Sequence, residues 1–299
     1  GWLVANAHCQ DVTIGSTTYY SAGAFVVFKF NTGTGFWDFF SMITNPTPSN
    51  YNYFGFEVAT SDNWILTSNS NVLPQNVLPS HNGQVWAYKY QSGSWVNTQV
   101  FSGRQSQAFS DSVGLHDLFG ASISMDKKWA VISSPFDSVD GRARGVAYVY
   151  FNHPVMGWQR RQILASDAPT AQSVTSHWTV QILKDYILVP DIGRSSGSNI
   201  RTGGALLFKK IELNGDNWIL DNVITYDDAP NFTFTGLSVY MTKNNIILGS
   251  NPSIDFLFPG NAPCEDPAAT IPCTQRSFIG AVFTPGHAAI YDFDMDDDN

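Results

Sequence analysis

Charge is scarce in this chain. Asp, Glu, Lys and Arg make up 14% of its 299 residues, against about a quarter in ordinary soluble domains. The balance is acidic, 25 Asp and Glu against 16 Lys and Arg, for a formal net charge of −9. Nucleic-acid binding needs a basic surface that neutralises phosphates, so that class is excluded. Long apolar runs are also missing, and none approaches the roughly 18 residues of a membrane-spanning helix. The six histidines (His8, His81, His116, His153, His177 and His287) are scattered, without the H-x-x-x-H or H-E-x-x-H spacing of a zinc site. The pattern G-x-S-x-G occurs once, as Gly193-Arg194-Ser195-Ser196-Gly197, in a loop rather than at a strand-to-helix turn, so it is not read as a nucleophile elbow, and no phosphate-binding loop occurs. Together these absences point to a non-catalytic protein without a resident cofactor.

Cysteine is nearly absent too. Of three cysteines, Cys264 and Cys273 share the loop APCEDPAATIPC. Its spacing is not that of a metal site, and a disulfide between the two is expected. Cys9 is left over, either free and buried or bonded to something beyond these residues. One sequon, Asn231-Phe232-Thr233, offers Asn231 for glycosylation in a eukaryotic secretory pathway, whereas proline disqualifies Asn251-Pro252-Ser253. What is plentiful is apolar, with 43% hydrophobic residues and 14% Phe, Trp and Tyr, set among Asn, Ser, Thr and Gly. Such a composition is common in extracellular β proteins, and an extracellular or cell-surface location is expected. The chain opens on Gly with no signal peptide, which suggests a processed or partial product.

The main signal is internal repetition. Four landmarks recur in fixed order. The first is an aromatic-plus-glycine opening, Phe54-Gly55 and Phe119-Gly120, with weaker versions at Trp178-Thr179 and Thr235-Gly236. The second is an apolar run after a tight turn, starting at Trp2, Trp64, Trp129, Tyr186 and Ile246. The third is a glycine-headed alternating strand, starting at Gly23, Gly83, Gly145, Gly204 and Gly286. The fourth is a tryptophan after a turn, Trp37, Trp95, Trp158 and Trp218, at spacings of 58, 63 and 60 residues. With no helical periodicity between them, each unit reads as four short strands. A four-stranded antiparallel unit repeated radially is a β-propeller blade, and stacking blades buries both apolar faces of each. The glycine beside the aromatic permits close backbone approach or an unusual dihedral, while the aromatic wedges against the next blade. The expected fold is a single all-β propeller domain over 1–299. Its repeats lie at approximately 1–44, 45–103, 104–166, 167–228 and 229–299, the first and last incomplete, for 18 strands in all.

These residues resemble the FG-GAP repeat family, the propeller repeats of the integrin α-subunit head. The resemblance rests on Phe54-Gly55 and Phe119-Gly120, on Ser133-Ser134-Pro135, Val189-Pro190-Asp191 and Gly249-Ser250-Asn251-Pro252 at the GAP positions, and on Gly145-Val-Ala-Tyr-Val-Tyr150 as third strand. It implies a propeller, typically of seven blades. Five are visible here, so either an improvised five-bladed closure or further blades beyond these residues is expected, with the latter favoured. Many members bind calcium in a D-x-D-x-D-G turn between first and second strands. The corresponding turns here, SDN, DKK, KD and KNN, hold too few carboxylates for a calcium shell. The tail YDFDMDDDN, with Asp292, Asp294 and Asp296, is a weaker calcium candidate and aligns better with a third strand entering a turn.

Strand direction sorts the cations. The lysines assign to the face of the short turns. Most arginines assign to the opposite face, which carries the long loops, and Arg160 and Arg161 are the exceptions. Arginine suits bidentate recognition of carboxylates. Arg142, Arg144, Arg194 and Arg201 are therefore candidate ligand-binding residues for a protein or acidic glycan partner. The alternative is that they pair with Asp137, Asp140 and Asp191 and rigidify the loops. The expected function is an extracellular binding or adhesion module working through this face. The alternative is a structural subunit packed against other copies, and a glycosidase is a more distant third. The inner strands FGFEVATS and FGASISMD offer Glu57 as interior carboxylate, expected to be hydrogen-bonded rather than catalytic.

Overall fold

The computed structural model describes residues 1–69, 83–103, 118–135, 137, 145–166, 179–195, 202–212, 217–225, 236–250 and, as backbone, 288–292. Every regular element among them is a β-strand, and no helix among them is long and apolar enough to cross a membrane. The strands form five sheets in chain order, each antiparallel between sequential neighbours, plus one separate hairpin. The first sheet is β1 (Trp2–Ala7), β4 (Ala24–Asn31) and β5 (Phe36–Thr44). The second is β6 (Phe54–Ser61), β7 (Trp64–Asn69), β8 (Gln84–Gln91) and β9 (Ser94–Ser102). The third is β10 (Ile123–Asp126), β11 (Trp129–Ser134), β12 (Val146–His153) and β13 (Gly157–Leu164). The fourth is β14 (Gln181–Leu183), β15 (Tyr186–Pro190), β16 (Gly204–Ile211) and β17 (Asn217–Thr225). The fifth is β18 (Ser238–Met241), β19 (Asn245–Gly249) and β20 (Ala288–Asp292). The hairpin β2 (Val12–Ile14) and β3 (Thr17–Tyr19) intervenes between β1 and β4. It matches no repeat landmark, and the repeat pattern passes over it.

The sheets share one irregularity. Pairing of the third strand with the fourth slips between Val27 and Phe28, Ala87 and Tyr88, Val149 and Tyr150, and Leu207 and Phe208. Each slip places one extra residue in the outer strand (Phe40, Thr98, Arg161 or Asp221) and increases local twist. The Thr98 hydroxyl donates to the Ala87 carbonyl at 3.1 Å across this bulge.

Sheet-to-sheet packing supplies the core. Four clusters of buried side chains each draw on two neighbouring sheets. The tryptophan landmarks lock successive joints as edge-to-face pairs: Trp2 with Trp95 at 5.1 Å, Trp64 with Trp158 at 5.7 Å, and Trp129 with Trp218 at 5.7 Å. Trp37 has no such neighbour in an earlier sheet and is 44% exposed. Third-strand lysines also stack on second-strand aromatics, Lys29 over Trp2, Lys89 over Trp64 and Lys209 over Tyr186, at 5.4–5.6 Å.

The aromatic-glycine opening works at these joints, with one correction. Phe54 is fully buried and lies 5.8 Å from Phe25 of the first sheet, and Phe119 lies 6.4 Å from Phe101 of the second. The wedge therefore faces the preceding blade, not the next. There the third-strand glycine of one blade meets the opening phenylalanine of the following one. Gly83 has φ +75°, and a Cβ on it would sit 2.1 Å from the Phe119 carbonyl oxygen. Side chains tie the outer strands as well. The Gln162 amide donates to the Trp218 carbonyl at 2.7 Å and accepts from its N–H at 2.8 Å. We predict that Gln162→Ala costs about 2 kcal/mol by leaving both backbone groups unmatched, read as a lower urea midpoint.

Candidate active site

The strands β6, β10, β14 and β18 follow one another as the first strands of successive sheets, and short polar side chains hold them together. Ser61 Oγ accepts from the Lys127 N–H at 2.8 Å, and Ser68 Oγ donates to the Gly120 carbonyl at 2.7 Å. Ser122 and Ser124 accept from the Val180 and Ile182 N–H groups, both at 3.1 Å. Thr179 accepts from the Val239 N–H at 2.8 Å. Serine and threonine suit this role because a bulkier residue would force the strands apart.

Glu57 sits on β6 inside this assembly. Pairing of β6 with β7 is irregular between Phe54 and Val58, so Glu57 lies in a bulge that follows the glycine of the opening motif. Bulges re-aim side chains and are common beside active sites. Neighbours hold its backbone. The Glu57 N–H donates to Ser68 Oγ at 3.3 Å, and its carbonyl accepts from Thr67 Oγ1 at 3.0 Å. Next to it, the Asn6 amide donates to the Phe56 carbonyl at 3.1 Å, and the His8 ring lies 5.8 Å from that of Phe56. The Glu57 carboxyl itself makes no hydrogen bond or ion pair among the described residues. Burial pushes its pKa up to about 7. A carboxyl that is half-ionised at neutral pH can both take and return a proton. The expectation of a satisfied, hydrogen-bonded Glu57 is therefore corrected: desolvation without a partner is what raises it.

Of the arginine candidates, Arg194 is described. Its Nε donates to Asp191 Oδ2 at 3.0 Å, and that fully buried carboxylate also accepts from Ser166 Oγ at 2.7 Å. Arg194 is thus engaged with its own loop. Arg142, Arg144 and Arg201 lie outside the described residues, as do Cys264, Cys273, Asn231, Asp294 and Asp296. Asp292 is the last residue of β20. Cys9 is a free, exposed thiol, not a buried one.

Comparison with known proteins bears on this geometry. Residues 107–150 match the family model of the FG-GAP repeat. No curated protein matches the chain in sequence. Among solved structures, the fold resembles the periplasmic gluconolactonase of Pseudomonas aeruginosa, with a TM-score of 0.50, 14% identity, and coverage of 84% of this chain and 65% of that one. The chain thus spans about two thirds of that enzyme's length. Proteins described as 6-phosphogluconolactonases from Bacteroides uniformis and Bacteroides fragilis align with TM-scores of 0.42 and 0.40, each at 12% identity. They cover 83% and 84% of this chain, and 74% and 77% of their own lengths are aligned. The expectation of a non-catalytic binding, adhesion or structural module is corrected by the first of these, a neighbour in fold that is named as a gluconolactonase, an enzyme. That expectation leaned on the absence of a zinc-site histidine spacing and of a phosphate-binding loop, motifs that mark other folds, and a single inner-strand acid carries no spacing signature. The chain carries an FG-GAP repeat within an array of antiparallel β-propeller blades.

Proposed function

We propose that this chain is a hydrolase that opens a sugar lactone, with Glu57 as its acid–base group. The observation that carries the reading is the Glu57 carboxyl on an inner strand, without a partner among the described residues and with its pKa raised to about 7. The substrate class follows the activity named for the Pseudomonas neighbour, whose likeness to this chain is one of fold. As carboxylate, Glu57 takes a proton from water as the oxygen attacks the lactone carbonyl. As carboxylic acid, it returns that proton to the ring oxygen as the acyl C–O bond breaks. Water is divided between the new carboxyl and the new hydroxyl, and Glu57 ends unchanged.

The test is hydrolysis of glucono-δ-lactone by the full chain, followed in a pH-stat against the spontaneous rate. Catalysed turnover with an inflection in kcat/KM near pH 7 is expected, because that profile reports the free enzyme's acid–base group. A rate equal to the spontaneous one overturns the reading. A site outside the cytoplasm is part of the same proposal. It is supported by the low charge, the sequon at Asn231 and the close Cys264 and Cys273 pair. Non-reducing peptide mapping is expected to recover those two cysteines in one disulfide-linked peptide.

A further inference from the structure

The repeat contains its own control for a missing contact. At two successive joints a glutamine of the outer strand clamps the tryptophan that begins the next outer strand. The Gln99 amide donates to the Trp158 carbonyl at 2.8 Å and accepts from the Trp158 N–H at 3.0 Å. Gln162 does the same to Trp218, at 2.7 and 2.8 Å. Ladder register explains why both groups of one residue are available. The cross-strand partners of these tryptophans, Asn152 and Lys210, turn their N–H groups away to the Lys128 and Asp185 carbonyls, both at 2.8 Å. Each tryptophan is therefore in a non-hydrogen-bonded pair, with its N–H and C=O pointing out of the sheet.

Trp95 is built in the same way. Its partner Tyr90 donates to the Asn63 carbonyl at 2.8 Å, so the Trp95 N–H and C=O also point outward. The residue that should clamp them is fixed by register. Gln99 and Gln162 stand opposite the last residue before the bulge, Ala87 and Val149, and in the first sheet that place, opposite Val27, belongs to Ser41. A serine hydroxyl ends two bonds short of a glutamine amide. Ser41 Oγ is buried and has no hydrogen-bond partner among the described residues. In place of the missing amide is a cavity of about 300 Å³ lined by Phe40, Ser41, Ile43, Gly93, Ser94 and Trp95. A Cβ on Gly93 would meet no heavy atom within 4 Å. A Cβ on Gly157, at the clamped joint, would sit 2.9 Å from Gln99 Oε1.

We propose that this joint binds a small primary carboxamide, whose NH₂ donates to the Trp95 carbonyl, whose oxygen accepts from the Trp95 N–H, and whose short apolar tail lies against Phe40 and Ile43. The donor–acceptor pair sets the class. A carboxylate lacks the donor, and so does an ester or a lactone, so this site is distinct in chemistry from the one at Glu57. It is distinct in place as well, on β5 and β9 at the outer side of the sheets. The volume is at the small end for ligand sites, and the cavity is open on one side, with polar and apolar lining in nearly equal measure.

Butyramide is the probe, titrated into the full chain while the Trp95 backbone amide is followed by NMR. A saturable shift is expected, with butyrate and methyl butyrate at least about tenfold weaker, since an unmatched buried polar group discriminates strongly. Ser41→Gln is expected to fill the site from within, abolish the response, and raise Tm by about 2–4 °C. Gln99→Ser is expected to open a second site, so that the Trp158 amide also responds. The proposal is overturned by a butyramide titration without saturable shift, by equal responses to butyramide and butyrate, or by binding that survives in folded Ser41→Gln. Should Ser41→Gln not fold, the Gln99→Ser arm decides: no butyramide response at Trp158 overturns it.

Discussion

Glu57→Gln is expected to lower lactone hydrolysis by at least about 100-fold and, at the same time, to stabilise the protein above pH 7. The first half follows from losing general acid–base transfer, typically worth about 10² to 10⁴. The second follows from linkage. The folded-state pKa of Glu57 is raised from 4.5 to about 7. Between those values the folded protein holds a proton that the unfolded chain has released, so stability falls as pH rises through this window. Below the unfolded value both states are protonated and the penalty is absent. Above the folded value it is fully present. Glutamine keeps the shape without the charge, so the variant should match the wild type near pH 4 and exceed it at pH 8. Allowing for partial solvent access, the gain is about 1–2 kcal/mol. Calorimetry at the two pH values measures it. A hydrogen-bonded structural glutamate behaves in the opposite way, losing stability on substitution, and that result would remove Glu57 from the mechanism.

The largest stability effect is expected at a joint between blades. Gly83→Ala should cost more than about 4 kcal/mol, enough to leave much of the protein unfolded under ordinary conditions. Two causes add. Gly83 has φ +75°, where an L side chain is strained by roughly 1–2 kcal/mol. The new Cβ also falls 2.1 Å from the Phe119 carbonyl oxygen, a backbone atom that cannot swing aside. Gly15 separates the two. Its φ is +61° and nothing lies within 4 Å of its Cβ position, so Gly15→Ala should carry the dihedral cost alone. Urea denaturation of both variants tests this, and similar midpoints would show that close approach at the joint is not what requires glycine.

Legibility in the sequence divided along one physical line. Alternation of period two, turn residues and the recurrence of Trp37, Trp95, Trp158 and Trp218 are properties of neighbouring residues, and from them the strands and their grouping into blades followed. The hairpin β2–β3 was missed because it belongs to no repeat, although the apolar-polar stretch from Val12 to Tyr19 around Gly15 carries its turn. The direction of the aromatic wedge was misread because a strand's neighbour across a joint is not written in its own residues. Arg194 was a docking candidate by type and loop, with pairing to Asp191 as the alternative, and only the fold decided for the pair, at 3.0 Å.

Sequence alone thus determined that this chain is a stack of four-stranded blades, since each blade is made by contacts within about 60 residues. Tertiary structure decided the chemistry. Whether Glu57 has a partner, and whether Ser41 stands where Gln99 and Gln162 stand in the following blades, depends on register within each blade and on packing between segments that are about 50–60 residues apart. A pKa and an unfilled hydrogen-bonding site are both set by what is missing from a side chain's surroundings, and those surroundings exist only when the blades are in contact.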